Sequence, residues 1–173
     1  MKILTKLKYK IASYKIIKLL KKQNRKTEQT TIAQAQNIGI IFNSVDNNDI
    51  ETILNFFKNK NVFILGFCKD KKLFKKNNYF SRKDFSWDCK LKTENLKNFV
   101  EQNFDILLNL DLQNNILLQY LSLISQAKFK IGVYNNLNCK ILDLMLNFEH
   151  QNNILISDFI EQINIYTNIL TKK

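Results

Sequence analysis

The sequence predicts an α/β fold, a mostly parallel sheet with helices on both faces. Three observations predict it. Four short runs, 38–42, 62–67, 104–110 and 129–134, are apolar on both alternations, as strands covered on both sides are. The stretches between them carry apolar residues at helical spacing. The clearest unit, Phe104 to Tyr134, reads strand, helix, strand in the length of one βαβ crossover, which joins parallel strands. A second such unit upstream makes a Rossmann-like, doubly wound sheet the expected architecture.

In chain order, residues 1–26 read as one basic amphipathic helix ending near Asn24. Ile3, Leu4, Leu7, Ile11 and Tyr14 share one face, while Ile16, Ile17, Leu19 and Leu20 drift to another. Such a helix is expected to kink or to touch different surfaces along its length. Residues 27–36 are polar and read as a linker, leaving 37–173 as a single α/β domain. Asn37–Phe42 is the first strand, Asp49–Lys58 a helix on Ile50, Ile53, Leu54 and Phe57, and Val62–Phe67 the second strand.

Residues 68–92 break the rhythm. Lysines alternate irregularly with Phe74, Tyr79, Phe80, Phe85 and Trp87, so the expectation is a long ordered loop with a short strand near Cys89–Leu91. Thr93 is a suitable N-cap for a helix over Glu94–Gln102. In the central unit, Ile116, Leu117, Tyr120, Leu121 and Ile124 mark a helix within Leu112–Ala127. Ile141–Phe148 alternates as a last strand, and Ser157 or Asp158 opens a C-terminal helix.

The 173 residues suffice for one domain with a substantial core. No apolar run approaches the roughly 20 residues a bilayer span needs. Lys18 interrupts the only leader-like apolar core, Ile16–Leu20, so a secretory signal is not expected. Cys68, Cys89 and Cys139 are odd in number and widely spaced, which fits neither a disulfide framework nor a zinc site. A reducing, cytoplasmic setting follows, with peripheral attachment at the inner membrane as the other expected location.

The net charge is +12. Abundant Lys, Asn and Ile, with no Pro and three Gly, is the pattern of an A/T-rich coding sequence, which accounts for part of that charge. The distribution carries more. Residues 1–26 hold ten basic residues and no acid, and residues 69–92 carry a net +6, while the rest is mildly acidic. These blocks supply the candidate anion-binding residues: Lys6, Lys8, Lys10, Lys15, Lys18, Lys21, Lys22 and Arg25, then Lys71, Lys72, Lys75, Lys76, Arg82 and Lys83. Tyr79, Phe80 and Trp87 are candidate stacking platforms for unpaired bases, although Phe85 and Trp87, an aromatic pair two residues apart, are expected rather to pack inward and seal the loop.

Catalytic signals are absent. Asn43–Asn48, after the first strand, contains no glycine, and neither G-x-G-x-x-G nor a P-loop occurs in the chain. A dinucleotide cofactor is therefore not expected, nor any other cofactor or metal. His150 is the single histidine and has no motif partner for a triad. Of Asp105, Asp111, Asp143 and Glu149, only Asp111 follows a strand's carboxyl end, and capping the next helix explains it. No catalytic residue is assigned.

Tyr79–Trp87, Phe104–Leu110 and Ala127–Val133 together resemble an uncharacterised bacterial α/β family of unknown function, with a lysine-rich N-terminal helix and an internal aromatic–basic segment. That resemblance implies the fold and no activity. The last two stretches are also similar to the N-terminal Rossmann-like half of heptosyltransferase-type glycosyltransferases. Those enzymes place the nucleotide-sugar site largely in a second Rossmann domain, for which this chain is too short. Three functions are expected in descending order. The first is a non-enzymatic module binding RNA or a ribonucleoprotein such as the ribosome. The second is a peripheral protein on an anionic membrane surface. The third is a degenerate transferase-like or regulatory domain with a small ligand at the sheet's carboxyl edge. Nucleic-acid, vesicle and small-ligand binding separate the three.

Overall fold

The computed structural model describes residues 2–22, 25–43, 47–69, 78–148 and 156–170. Five helices are present among them: α1 Lys2–Leu20, α2 Asn47–Phe56, α3 Glu94–Glu101, α4 Ile116–Ile124 and α5 Ile156–Leu170. The strands are β1 Asn37–Asn43, β2 Asn61–Phe67, β3 Tyr79–Phe80, β4 Ile106–Leu110, β5 Phe129–Val133 and β6 Leu144–Leu146. They form one sheet in the order β3-β2-β1-β4-β5-β6, and every neighbouring pair is parallel. That is the doubly wound order, with its switch point between β1 and β4. The expected Rossmann-like α/β class is present.

Strand alternation divides the core. Ile41, Leu65, Phe67 and Leu107 meet α1, α3 and α4 on one face through Ala12, Ile16, Leu96, Phe99, Leu117 and Leu121. Ile38, Ile40, Phe42, Ile106, Leu108 and Ile131 meet α2 and α5 on the other through Ile53, Phe57, Phe159 and Ile163. Each fully buried Ile or Phe contributes about 1.5–3 kcal/mol, so the central strands are the main source of stability. Close packing also explains one strand glycine. A Cβ at Gly39 would lie 2.7 Å from the Phe104 ring.

Several elements differ from expectation. The first helix ends at Leu20 rather than near Asn24. The segment read as a linker is fastened to the domain: Thr31, Ile32 and Ala35 are buried. Arg25 donates to the Ala127 and Lys128 carbonyls at 3.1 and 2.8 Å and pairs with Asp143, which also accepts from Thr27 Oγ1. At the other end of that segment, the Gln36 and Asn37 amides donate to Asp105 at 2.9 and 3.0 Å. Burial would raise the Asp105 carboxyl, but those amides and Lys128 outweigh it and hold it below the usual range.

Inside residues 68–92, Tyr79–Phe80 adds a parallel edge strand beside Gly66–Phe67. The short strand expected near Cys89–Leu91 reduces to one antiparallel bridge, Phe85 to Leu91. Thr93 has the extended backbone of a cap but makes no side-chain cap hydrogen bond. The last strand covers Leu144–Leu146 alone, and a 3-10 turn over Asn138–Lys140 lies upstream of it.

Candidate anionic-surface interface

The two basic blocks meet. Lys8 Nζ, on α1, donates to the Arg82 and Phe85 carbonyls at 3.1 and 2.8 Å. Cys89 Sγ reaches back to the Lys8 carbonyl at 3.3 Å. Residues 81–92 therefore lie along α1. Their path is set locally: Ser81 and Asp84 form a capping box around a 3-10 turn over Arg82–Asp84. Ser86 then holds the following turn through the Lys90 amide at 2.8 Å. Phe85 is buried at one side of this segment, and Trp87, two residues on, is 69% exposed.

Ala12 and Ile16 of α1 are completely buried, one helical turn apart, against α4. The opposite face looks outward. It carries exposed Lys6, Lys10 and Lys21, with Lys18 and Lys22 at its edge. Leu7, Tyr14 and Ile17 share that face at 46%, 66% and 54% exposure. The face with Leu7 and Tyr14, which the sequence reading grouped with Ile11 as one apolar stripe, is thus turned to solvent over part of its width.

The candidate residues sort by geometry. Lys6, Lys10, Lys18, Lys21, Lys22 and Lys83 are exposed, and Lys15 and Arg82 are half-buried. Lys8 and Arg25 are engaged within the fold: Lys8 donates to two backbone carbonyls, and Arg25 to two carbonyls and Asp143. Tyr79 and Phe80 are corrected as stacking platforms. They are 6% and 1% exposed, with Tyr79 edge-on to Phe42 and Phe80 against Phe67 and Phe85, so neither ring offers a face. Lys71, Lys72, Lys75 and Lys76 lie outside the described residues, as do Glu149 and His150. Lys90 and Lys92 are exposed on the same segment and were not among the candidates. Their position after the Ser86 turn was the available signal. Asp88, the acid beside them, is held below its usual range by Ser86 first and then Lys90.

The crevice where a doubly wound fold seats its ligand has a different content. A cleft of about 340 Å³ opens at the carboxyl ends of β1 and β4, lined by Asn43, Lys69, Gln113, Asn114 and Asn115, with Tyr9 of α1 on its wall. In nucleotide-binding proteins of this architecture, free backbone N–H groups at this point hold phosphate. Here Asp111 engages two amides of the turn after β4. Its carboxylate accepts from the Gln113 amide at 3.0 Å and from the Asn115 amide, while the Asn43 side chain donates to Gln113 Oε1 at 3.0 Å. Asn115 in turn caps α4 through the Leu117 amide at 3.0 Å. Burial pushes the Asp111 carboxyl up despite these donors. Among the described residues no cluster of His, Cys, Asp or Glu could hold a metal ion, and no helix is long and apolar enough to cross a membrane.

Fold and crevice together define a doubly wound α/β domain whose switch point is capped by its own carboxylate and contains no glycine-rich turn. The chain belongs to DUF6913, a family of unknown function, whose model matches residues 8–170. No curated protein and no solved structure matches it, so the local likeness to heptosyltransferase-type enzymes rests on the sequence stretches alone.

Proposed function

We propose that this protein is a non-catalytic docking domain that binds a phosphate-rich surface through the joined face of α1 and residues 81–92. One observation carries the reading: two basic blocks far apart in sequence are brought side by side, through the contacts of Lys8 and Cys89. Lys6 and Lys10 of α1 and Lys83, Lys90 and Lys92 of the adjoining segment keep exposed side chains, and such a basic surface attracts polyanions over a Debye length of about 10 Å. The capped crevice supports a role without nucleotide chemistry.

The test compares wild type with a Lys10→Glu, Lys83→Glu, Lys90→Glu variant for retention on heparin across a salt series. A Lys97→Glu, Lys140→Glu variant, altered on α3 and in the 3-10 turn over Asn138–Lys140, is the control. The first variant should elute at distinctly lower salt. Its dependence on log salt should fall by roughly 0.7–0.9 for each anionic group it no longer neutralises. Equal elution of all three proteins would refute the reading.

A further inference from the structure

We infer that the phosphate-rich surface is an anionic bilayer, against which α1 lies flat with Leu7, Tyr14 and Ile17 in the headgroup layer. The inference rests on the docking reading above and names its partner.

The helix is apolar on two sides. Ala12 and Ile16 close one side against the domain, so the exposure of Leu7, Tyr14 and Ile17 is not a by-product of a loosely held helix. Leu7 and Tyr14 are seven residues apart and nearly in line, and Ile17 follows one turn on. Lys10 and Lys21 lie within the same arc, with Lys6 and Lys18 at its two borders. A nucleic acid would use those ammonium groups but would gain little from Leu7 and Ile17. A bilayer uses both, since lysine stems lie along apolar neighbours while their charged ends reach the lipid phosphates.

The neighbouring segment carries a further exposed aromatic, beside the Lys8–Lys15 edge of α1 rather than in line with Leu7 and Tyr14. Trp87 is the one tryptophan of the chain and is 69% exposed, in the turn that packs beside Lys8 and Lys15. Tyr and Trp with one apolar body and one polar tip settle at the membrane–water interface. Lys83 and Lys90 flank Trp87 on either side in sequence. The only described acid of that turn, Asp88, is engaged by Ser86 and Lys90, which limits its repulsion of lipid phosphate. At about 1.5 Å per residue α1 extends for nearly 30 Å, and its burial on the domain side holds it rigid before any contact is made. Little ordering is then required on binding.

The single tryptophan makes the experiment direct. Full-length protein is titrated with phosphatidylcholine vesicles, with vesicles containing about 30 mol% phosphatidylglycerol, and with single-stranded RNA homopolymer, following Trp87 emission and co-sedimentation. Anionic vesicles should blue-shift the emission and pellet the protein, and neutral vesicles should do neither. A Leu7→Gln, Tyr14→Gln, Ile17→Gln variant keeps every lysine and changes only exposed side chains. It should lose about tenfold or more of its vesicle affinity while retaining its elution from heparin, because buried apolar area adds to the electrostatic attraction only at a bilayer. If this variant binds anionic vesicles as wild type does, the inference falls. If wild type binds RNA and heparin but not vesicles, the bilayer is wrong and the docking reading survives. If it binds none of the three, both are wrong.

Discussion

Replacing Lys130 with Met should stabilise the protein below neutral pH and remove a pH dependence that the wild type is expected to show. Lys130 lies on β5, completely buried, with its Nζ donating to the Leu123 carbonyl at 3.2 Å in the last turn of α4. Burial, reinforced by Arg25 and opposed by Asp143, brings its pKa from 10.5 down to about 7. In the unfolded chain the ammonium returns to its ordinary value. Below about pH 7 the group is charged in both states, and the folded protein bears the full cost of burying it. Between pH 7 and 10.5 the unfolded chain holds a proton that the folded chain has released, so stability rises with pH through that window. At about 1.4 kcal/mol per pKa unit, the whole rise is at most roughly 4–5 kcal/mol. Met has similar length and no charge to bury, but it gives up the bond to Leu123, at about 1 kcal/mol. Lys130→Met should therefore be more stable than wild type by roughly 2–4 kcal/mol near pH 6 and about equal or slightly weaker near pH 10. Urea melts of both proteins from pH 6 to 10 measure this, and the difference between them isolates Lys130 from every other titrating group. A difference that stays constant across that range would refute the reasoning.

Ile16→Ala should cost about 2–5 kcal/mol by chemical denaturation, the usual range for a fully buried Ile, because α1 belongs to the core despite its charge. A loss below about 0.5 kcal/mol would mean the helix is detachable. Phe85→Ala and Trp87→Ala, two positions apart, should separate widely. Phe85 is buried against Phe80 and should cost about 3–5 kcal/mol. Trp87 should stay within about 0.5 kcal/mol of wild type. Comparable losses at both positions would contradict the side-chain placement.

Much of the sheet was legible because doubly covered strands announce themselves. Ile38–Phe42 and Phe104–Leu110 are apolar on both alternations, and no other element in an α/β chain needs that. Tyr79–Phe80 was not legible, since two residues among lysines carry no period, and their strand character comes from Gly66 and Phe67 alongside. The packing face of α1 was hidden for a related reason. Apolar side chains occur all round that helix, so periodicity could not separate the buried Ala12 and Ile16 from the exposed Leu7 and Tyr14. At the candidate interface the lysine blocks were visible as composition, but their meeting depends on Lys8 reaching carbonyls more than seventy residues away, which no local pattern encodes. The opposite fates of Phe85 and Trp87 were not legible. Two rings two positions apart read as a pair sealing the loop, since alternation puts such residues on one side. The turn held by Ser86 separates them and leaves Trp87 exposed.

The carboxylate of Asp111 has a bearing on the chain's composition. A crevice that must admit a phosphate from solution needs glycines, because any side chain on the approaching turn would stand in the ligand's way. In this protein the negative charge arrives by covalent linkage, from the residue directly after β4, and meets the amides of Gln113 and Asn115 from within. The turn after β4 thus holds its amides with a charge carried by the chain itself, in a sequence with three glycines in 173 residues.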